Sequence, residues 1–181
     1  MSTKETMLRL LEAAGGKFIS GSGIAHSAGV SRNAVWKNAA ALREAGFDIE
    51  AGDGGYRMAG DKLCPELIKY YAKNDFGITF FTETGSTNRE AAKLASSVAL
   101  PHMVAAAAQN GGRGRHGKSF FSEGGIYFSM ILDAAAVKIP PMLLTTAAAC
   151  ATLRAIEAEY DAKPKIKWIN DIYLGEKKVC G

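Results

Sequence analysis

Glycines divide the first part of the chain into short helical segments followed by a hairpin. The predicted helices span residues 3–14, 22–28 and 32–45, and the first and third have apolar side chains at helical spacing. Gly15-Gly16 and Gly46 end two of them, because glycine readily adopts the left-handed conformation that follows a helix C-terminus. Gly29 makes a tight turn before Ser31, whose hydroxyl can cap the third helix. Residues 1–46 are therefore predicted to form three short helices.

Residues 47–60 alternate between apolar and polar side chains around Asp53-Gly54-Gly55, a turn sequence suited to a β-hairpin. Three helices and a hairpin in this order predict a winged helix-turn-helix, whose third helix usually enters the major groove of DNA. The candidate DNA contacts are Ser31, Arg32, Asn33, Trp36 and Lys37. A small helical packing module without DNA affinity fits the same pattern, and the wing tip carries little positive charge.

The pattern breaks between Asp61 and Pro65, which predicts a domain boundary, since proline disfavours helix at the residue before it. We predict a DNA-binding domain over 1–60, a linker over 61–66 and a second domain over 67–181. In the second domain the predicted helices are 67–71, 89–97 and 143–160, and the predicted strands are 77–84, 103–109, 125–133 and a hairpin within 165–181. Helix 89–97 is expected to be capped by the side chains of 86–88. The fold class is thus α/β (α+β), with a mixed sheet.

The composition, 48% hydrophobic and 22% charged, is ordinary for a globular protein. No apolar run approaches the roughly 18–20 residues of a membrane span, and the N-terminus lacks a secretory signal pattern. The cysteines and histidines show neither a disulfide framework nor metal-ligand spacing: Cys64, Cys150, Cys180, His26, His102 and His116. A net charge of +4 does not decide whether the chain binds nucleic acid. We expect a cytoplasmic protein with no membrane partner.

A loop of glycines and cations, Gln109 to Lys118, lies between two predicted strands. Its glycines let the backbone approach a ligand closely, while Arg113, Arg115 and Lys118 supply charge that suits phosphate or carboxylate. A flexible RNA-binding tract or a solvated hairpin has a similar composition. The composition of the loop therefore fits an anion-binding element, an RNA-binding tract and a solvated hairpin alike.

A second polar segment, Lys167-Trp168-Ile169-Asn170-Asp171, precedes Lys177 and Lys178 across a turn predicted at Gly175. An amide, a carboxylate and an ammonium brought together by a hairpin can hold Mg²⁺ and the phosphates of ATP. Alternatively, Trp168 belongs to the core and Asn170-Asp171 is only a turn. The aromatic residues expected to be core or partly buried are Trp36, Phe120, Phe121 and Trp168.

In combination these segments resemble biotin protein ligases. Ser86-Thr87-Asn88, GRGRHG at 112–117, KWIND at 167–171 and Lys178 follow the order and approximate spacing of that family. The N-terminal winged helix is similar to that of the bifunctional members, which act both as biotin-[acetyl-CoA-carboxylase] ligases and as biotin operon repressors. The resemblance covers essentially the whole chain, and it implies a mixed-sheet catalytic domain of the biotin ligase or class II synthetase-like fold.

The resemblance also implies a biotin site. In this site, Ser86, Thr87 and Gln109 would hydrogen-bond the ureido ring or position biotin. Asn88 would help to form the same wall of the biotin site. The loop with Arg113, Gly114 and Arg115 would fold over biotin and its adenylate, limiting hydrolysis of the mixed anhydride. Lys178 would contact the biotin carboxylate and the α-phosphate, and Arg115 and Lys178 would be the catalytic residues.

The ATP site implied by the resemblance contains Arg115, Lys118, Phe120, Asn170 and Asp171, with Phe120 near the adenine and Asp171 toward Mg²⁺. Biotin would attack ATP to give biotinyl-AMP and pyrophosphate, and a lysine of a biotin carboxyl carrier protein would then accept the biotinyl group. Because the attacking carboxylate is already ionised, positioning and electrostatic stabilisation should dominate the first step. Operator DNA and a second copy of the chain, in a homodimer, are the other implied partners.

The sequence departs from the family pattern in ways that leave alternatives open. Ile169 stands where proline is usual, Phe120 where tryptophan is usual and His116 where a second arginine is common, which predicts altered nucleotide affinity. Because the family continues with further strands and a small β-barrel, the resemblance implies an incomplete, truncated chain with reduced or absent ligase activity. The alternatives are a lipoate-type ligase, a regulator that binds biotin or its adenylate only as a co-repressor, and a remnant without ligand.

Overall fold

The computed structural model describes residues 2–72, 75–112 and 124–181. The chain forms two compact units, Met1–Ile131 and Leu132–Gly181. Part of the predicted glycine-arginine loop and its neighbours lie outside the described residues, namely Arg113, Gly114, Arg115, His116, Lys118, Phe120 and Phe121. Along the described chain no helix is long and apolar enough to cross a membrane.

Three short helices open the first unit, as predicted: α1 Thr3–Ala13, α2 Gly21–Ala28 and α3 Arg32–Glu44. The hydroxyl of Ser31 accepts a hydrogen bond from the amide of Ala34 at 3.2 Å, which caps α3. Gly29 follows α2 with a φ of 63°, a left-handed conformation that glycine adopts without steric cost. The predicted cap at Ser31 and the predicted turn at Gly29 are confirmed.

The wing is an antiparallel hairpin of β1 Ile49–Gly52 and β2 Gly55–Met58. A further backbone segment joins it, because the amides of Ile19 and Tyr56 each donate to the other's carbonyl, at 2.8 and 2.9 Å. A Cβ on Gly55 would lie 2.1 Å from the Ile19 carbonyl oxygen, so only glycine allows this close approach. The wing is therefore fixed to the chain segment that precedes α2.

A single apolar cluster stabilises the winged helix and extends into the next helix, α4 Pro65–Tyr71. Its members include Met7, Leu8, Leu11, Ile24, Val35, Leu42, Phe47, Cys64 and Leu67. Burial raises the pKa of the Cys64 thiol. The Tyr71 hydroxyl at the end of α4 donates a hydrogen bond to the Glu12 carboxylate of α1. Helix α4 thus packs against α1 of the winged helix.

The rest of the first unit is a mixed sheet with strand order β3-β4-β5. Strand β3, Gly77–Thr84, pairs in parallel with β4, His102–Gln109, which pairs antiparallel with β5, Tyr127–Ile131. The parallel pair is connected through α5, Thr87–Leu94, a helix that packs against β4 and β5 and ends earlier than the predicted residue 97. The N-terminus of α5 therefore lies near the C-terminal ends of β3 and β4.

The second unit consists of one long helix and a three-stranded antiparallel sheet. Helix α6, Pro141–Glu159, precedes β6 Lys165–Lys167, β7 Asp171–Leu174 and β8 Lys177–Cys180. The expected burial of Trp168 is wrong: the residue lies in the turn between β6 and β7 and is 75% exposed. A residue at a two-strand turn has few neighbours on its own sheet, so the indole meets solvent instead of the core.

Candidate functional site

The exposed face of α3 carries the predicted DNA contacts. Val35, Ala39 and Leu42 point into the apolar cluster. Arg32, Asn33, Trp36 and Lys37 are exposed, Arg32 at the first residue of α3 and the others away from the buried side of the helix. Trp36 is 58% exposed, so its side chain is partly buried and still accessible from solvent.

A groove of about 570 Å³ separates α3 from the wing. Its walls are the start of α2, the exposed side of α3 and the hairpin tip, with Ser20, Arg32, Asn33, Trp36, Asp53 and Tyr56 among the lining residues. The exposed part of α3 within this groove combines a cation, an amide and an aromatic ring. These are groups that can contact phosphates and base edges in nucleic acid.

The N-terminus of α5 is capped by a side chain from a neighbouring strand. Ser86 occupies the N-cap position but makes no capping hydrogen bond through its side chain, which corrects the expectation that residues 86–88 cap their own helix. Instead, the amide of Thr87 donates to Oε1 of Gln109 at 3.0 Å. Because β3 and β4 are parallel and α5 follows β3, the end of β4 reaches the start of the helix.

A hydroxyl from β5 completes this polar cluster. Ser129 Oγ lies 3.0 Å from Thr87 Oγ1 and 2.9 Å from Asn88 Oδ1. The Ser129 hydroxyl is the donor in both contacts and has one proton, so it donates to either the Thr87 hydroxyl or the Asn88 amide oxygen at any one time. The sequence prediction omitted Ser129; the signal that marks it is a polar residue within the apolar strand 125–133.

Two glycines bring the start of the glycine-arginine loop against the end of β3. A Cβ on Gly111 would lie 2.7 Å from the Gly85 carbonyl oxygen and equally close to Nη2 of Arg89. The amide of Asn110 donates to the Thr84 carbonyl at 3.1 Å, and its side chain donates to Glu83 at 2.6 Å. Residues 84–88 and 109–111 therefore form one continuous polar edge, which we call the β3–β4 edge.

In the second unit, the ammonium of Lys178 lies 2.9 Å from Oδ1 of Asp171, across the β7–β8 hairpin that turns at Gly175. Both side chains are about one-third exposed. Asn170 is the last residue of the turn that precedes β7. The hairpin thus places a carboxylate and an ammonium together, within reach of solvent.

The described residues bring the predicted site residues together in two groups. Thr87, Asn88 and Gln109 meet at the β3–β4 edge with Ser86 beside them, and Asp171 meets Lys178. Over residues 2–72, 75–112 and 124–181, no three His, Cys, Asp or Glu side chains cluster so as to hold a metal ion. In this part of the chain the cysteines Cys64, Cys150 and Cys180 are free.

Comparison with known proteins matches both parts of the chain. The family model described as "Biotin/lipoate A/B protein ligase family" matches residues 81–181, and an HTH domain model matches residues 3–57. The bifunctional ligase/repressor BirA of Bacillus spizizenii is 35% identical over 98% of this chain. BirA of Escherichia coli is 30% identical over 93% of this chain. The chain spans 58% and 54% of the lengths of these two relatives.

Among solved structures, the biotin acetyl coenzyme A carboxylase synthetase of Helicobacter pylori is similar, with a TM-score of 0.50 and 21% identity. The match covers 57% of this chain and 52% of that one. At this identity the likeness shows the fold, an α+β arrangement with a mixed sheet. Together with the family match over residues 81–181, it establishes that the chain belongs to the biotin/lipoate A/B protein ligase family.

Proposed function

We propose that this chain is the DNA-binding and ligand-activating part of a bifunctional biotin protein ligase, which adenylates biotin and represses transcription in response to it. The observation that carries this proposal is the order of the two matches, a helix-turn-helix over 3–57 followed by a ligase domain over 81–181. The relatives that match 98% and 93% of this chain are named bifunctional ligase/repressor. The chemistry of the β3–β4 edge supports biotin as the ligand.

The β3–β4 edge offers hydrogen-bond donors. The side-chain oxygens of Gln109 and Asn88 are already occupied by the Thr87 amide and the Ser129 hydroxyl. Among the described residues neither NH₂ group has an acceptor, so each can donate to a ligand. The ureido carbonyl of biotin is a neutral acceptor of this kind. We assign Ser86, Thr87, Asn88 and Gln109 to biotin, with Ser129 as the residue that orients Thr87 and Asn88.

Lipoate fits the same edge less well. The far end of lipoate is a dithiolane ring, which has no carbonyl and accepts hydrogen bonds weakly. Binding it would leave amide donors desolvated without partners, at a cost of about 1–3 kcal/mol for each. The edge therefore favours biotin over lipoate within the family.

We assign the cationic residues to the negatively charged groups in the reaction, the biotin carboxylate and the phosphates of ATP. The biotin carboxylate attacks the α-phosphorus of ATP, the bond to the pyrophosphate leaving group breaks, and biotinyl-AMP forms. Lys178 would stabilise the negative charge near the α-phosphate, and Arg113, Gly114 and Arg115 would cover the adenylate and exclude water. Lys118, Phe120 and Asn170 are assigned to the nucleotide. A carrier-protein lysine then attacks the acyl carbon and releases AMP.

The carboxylate of Asp171 fits Mg²⁺, since this ion prefers oxygen ligands and commonly uses one or two carboxylates beside phosphate oxygens and water. Oδ1 of Asp171 is paired with Lys178. That contact would also hold the carboxylate close to the ammonium that faces the phosphate. When bound, Mg²⁺ would neutralise charge on the pyrophosphate leaving group.

Operator DNA is the proposed partner of α3, through Ser31, Arg32, Asn33, Trp36 and Lys37. The hydroxyl of Ser31 is engaged as the N-cap, so we assign it to positioning of the helix rather than to a base. A biotin carboxyl carrier protein is the proposed acceptor. A homodimer on two half-sites is the proposed repressing form, because helix-turn-helix proteins commonly bind DNA with two-fold symmetry.

The test is detection of biotinyl-AMP by mass spectrometry after incubation with biotin and MgATP. The 181-residue chain would be compared with a chimera in which the remainder of the Bacillus spizizenii relative follows Gly181. We expect adenylate from the chimera, and at least a tenfold lower yield after Gln109→Ala, since about 1.4 kcal/mol of lost binding gives that factor.

Lipoate serves as the matched substrate control, and Tyr160→Ala as the matched protein control, because Tyr160 is an exposed residue outside both candidate sites. Absence of biotinyl-AMP from both proteins would refute the ligase proposal. Equal use of lipoate and biotin would refute the assignment of the β3–β4 edge to a ureido carbonyl. Adenylate from the chimera alone would assign part of the site to the added residues.

A further inference from the structure

Trp36 is the largest apolar side chain on the exposed face of α3, and the fold of the winged helix does not use it. The residue is 58% exposed, while the apolar side of α3 is already complete with Val35, Ala39 and Leu42. Within the described residues, Trp36 makes no hydrogen bond and no ring contact with another aromatic side chain. An indole offers 150–250 Å² of surface, so leaving it in water has a cost that a bound partner would remove.

The neighbours of Trp36 identify the partner as duplex DNA. Residues 31–42 contain two cations, Arg32 and Lys37, and no Asp or Glu. Arg32 lies one helical turn before Trp36 and Asn33 lies three residues before it, so the three side chains share one face. Arginine pairs with guanine and asparagine with adenine in the major groove, whereas an apolar side chain contacts the methyl group of thymine.

We propose that Trp36 is a specificity-determining residue that reads a thymine methyl group in the major groove, next to bases read by Arg32 and Asn33. This inference rests on the proposed DNA-binding function and deepens it. Along the helix axis, residues 32 and 36 are about 6 Å apart, and successive base pairs are about 3.4 Å apart. Trp36 and Arg32 therefore contact bases one or two pairs apart.

The test uses the full 181-residue chain and duplexes that it selects from a random pool. The duplex that binds most tightly is then synthesised with deoxyuridine in place of thymidine at each position in turn, which removes only the methyl group. Dissociation constants are measured by fluorescence anisotropy at one fixed salt concentration. At one or more positions we expect the loss of the thymine methyl to weaken binding about fourfold, because one methyl group is no longer buried against Trp36.

Variants of Trp36 test whether the effect of the thymine methyl on binding depends on this side chain. Trp36→Ala should bind the thymidine and deoxyuridine duplexes equally, while Trp36→Phe, which keeps an apolar ring but lacks the N–H, should still distinguish them. Tyr160→Ala, another exposed aromatic truncation, should behave as wild type. Thermal unfolding of each variant would verify the fold, which the exposure of Trp36 predicts to be intact.

The outcomes separate the two proposals. Selective binding that is insensitive to every thymine methyl, or a methyl effect that persists in Trp36→Ala, would overturn the role of Trp36 and leave the DNA-binding function standing. Loss of the methyl effect in Trp36→Phe would contradict readout by an apolar ring, because phenylalanine also presents one. Selection that enriches no duplex would overturn the DNA-binding function and this inference together.

Discussion

The winged helix and the second unit differ in how completely each buries its apolar side chains. In the winged helix six large side chains are fully buried, namely Met7, Leu8, Leu11, Ile24, Val35 and Leu42. In the second unit Ile172 is fully buried, whereas Met142 is 81% exposed, and Leu143 and Tyr160 are exposed as well. The first region therefore has a core of its own, and the second draws little stability from one.

The difference originates in the sequence patterns. Each helix of the winged region has polar residues on one side and apolar residues on the other, so its apolar side can be buried against two partners. Helix α6 instead carries alanine and other small or apolar residues around most of its surface, and only Ala149 is buried. A helix without a distinct apolar side does not specify one packing partner.

The largest expected effect is therefore on the core of the winged helix. Leu42→Ala should lower the free energy of unfolding by about 2–5 kcal/mol, because it removes a fully buried side chain and leaves a cavity. Leu143→Ala, the matched change on the exposed surface of α6, should alter it by about 0.5 kcal/mol or less. The measurement is urea denaturation followed by tryptophan fluorescence.

The two tryptophans make this comparison specific, since Trp36 lies in the first unit and Trp168 in the second. In a Trp168→Phe background the fluorescence reports the winged helix alone, and in a Trp36→Phe background it reports the second unit. Equal losses from Leu42→Ala and Leu143→Ala would contradict the view that only the first region has its own core.

A smaller effect is expected at the helix N-termini. Ser31→Ala removes the hydroxyl that accepts from the Ala34 amide, and it should destabilise the winged helix by about 1 kcal/mol. Ser86→Ala should cost less than about 0.5 kcal/mol, because Ser86 makes no capping bond through its side chain. For α5 the cap is Gln109, so Gln109→Ala should cost about as much as Ser31→Ala.

Thermal unfolding of the three variants would measure these differences. A loss for Ser86→Ala as large as that for Gln109→Ala would mean that Ser86 caps α5, as the local sequence suggested.

These cases show where sequence reasoning succeeds. The helix ends at Gly15-Gly16 and Gly29, the cap at Ser31 and the hairpin turn after Gly52 depend on residues within a few positions of one another, so their types predict them. The family resemblance located the polar segments for the same reason, because each segment is contiguous.

Long-range contacts were not predictable in this way. Gln109 caps α5 from 22 residues away, and Ser129 reaches Thr87 from 42 residues away. Both contacts depend on the parallel pairing of β3 with β4 and on the position of β5 beside β4, which no local pattern specifies. The exposure of Trp168 was missed because aromatic residues are usually buried, and its exposure depends on which face the surrounding core has already filled.

The smallest expected effect concerns the attachment of α4 to the winged helix. The hydrogen bond from the Tyr71 hydroxyl to Glu12 raises the pKa of Tyr71 from 10 to about 12, because the nearby carboxylate disfavours a phenolate. For an acid whose pKa is higher in the folded state, the stabilisation is complete below pH 10 and is lost as the pH rises toward 12. Glu12→Gln should therefore lower the pKa of Tyr71 toward 10.

The measurement is an ultraviolet titration of phenolate absorbance, in which the difference between each protein and its Tyr71→Phe counterpart isolates one tyrosine. An unchanged midpoint in Glu12→Gln would show that Glu12 does not hold the Tyr71 hydroxyl. Helix α4 would then be attached to the winged helix through apolar contacts such as that of Leu67 and through the Tyr70 ring, which lies 5.9 Å from the Arg9 guanidinium of α1. A lower midpoint of the Tyr71 titration in Glu12→Gln would show that α4 shares both the core of the winged helix and a polar contact with α1. The winged helix would then extend past residue 60 to include α4.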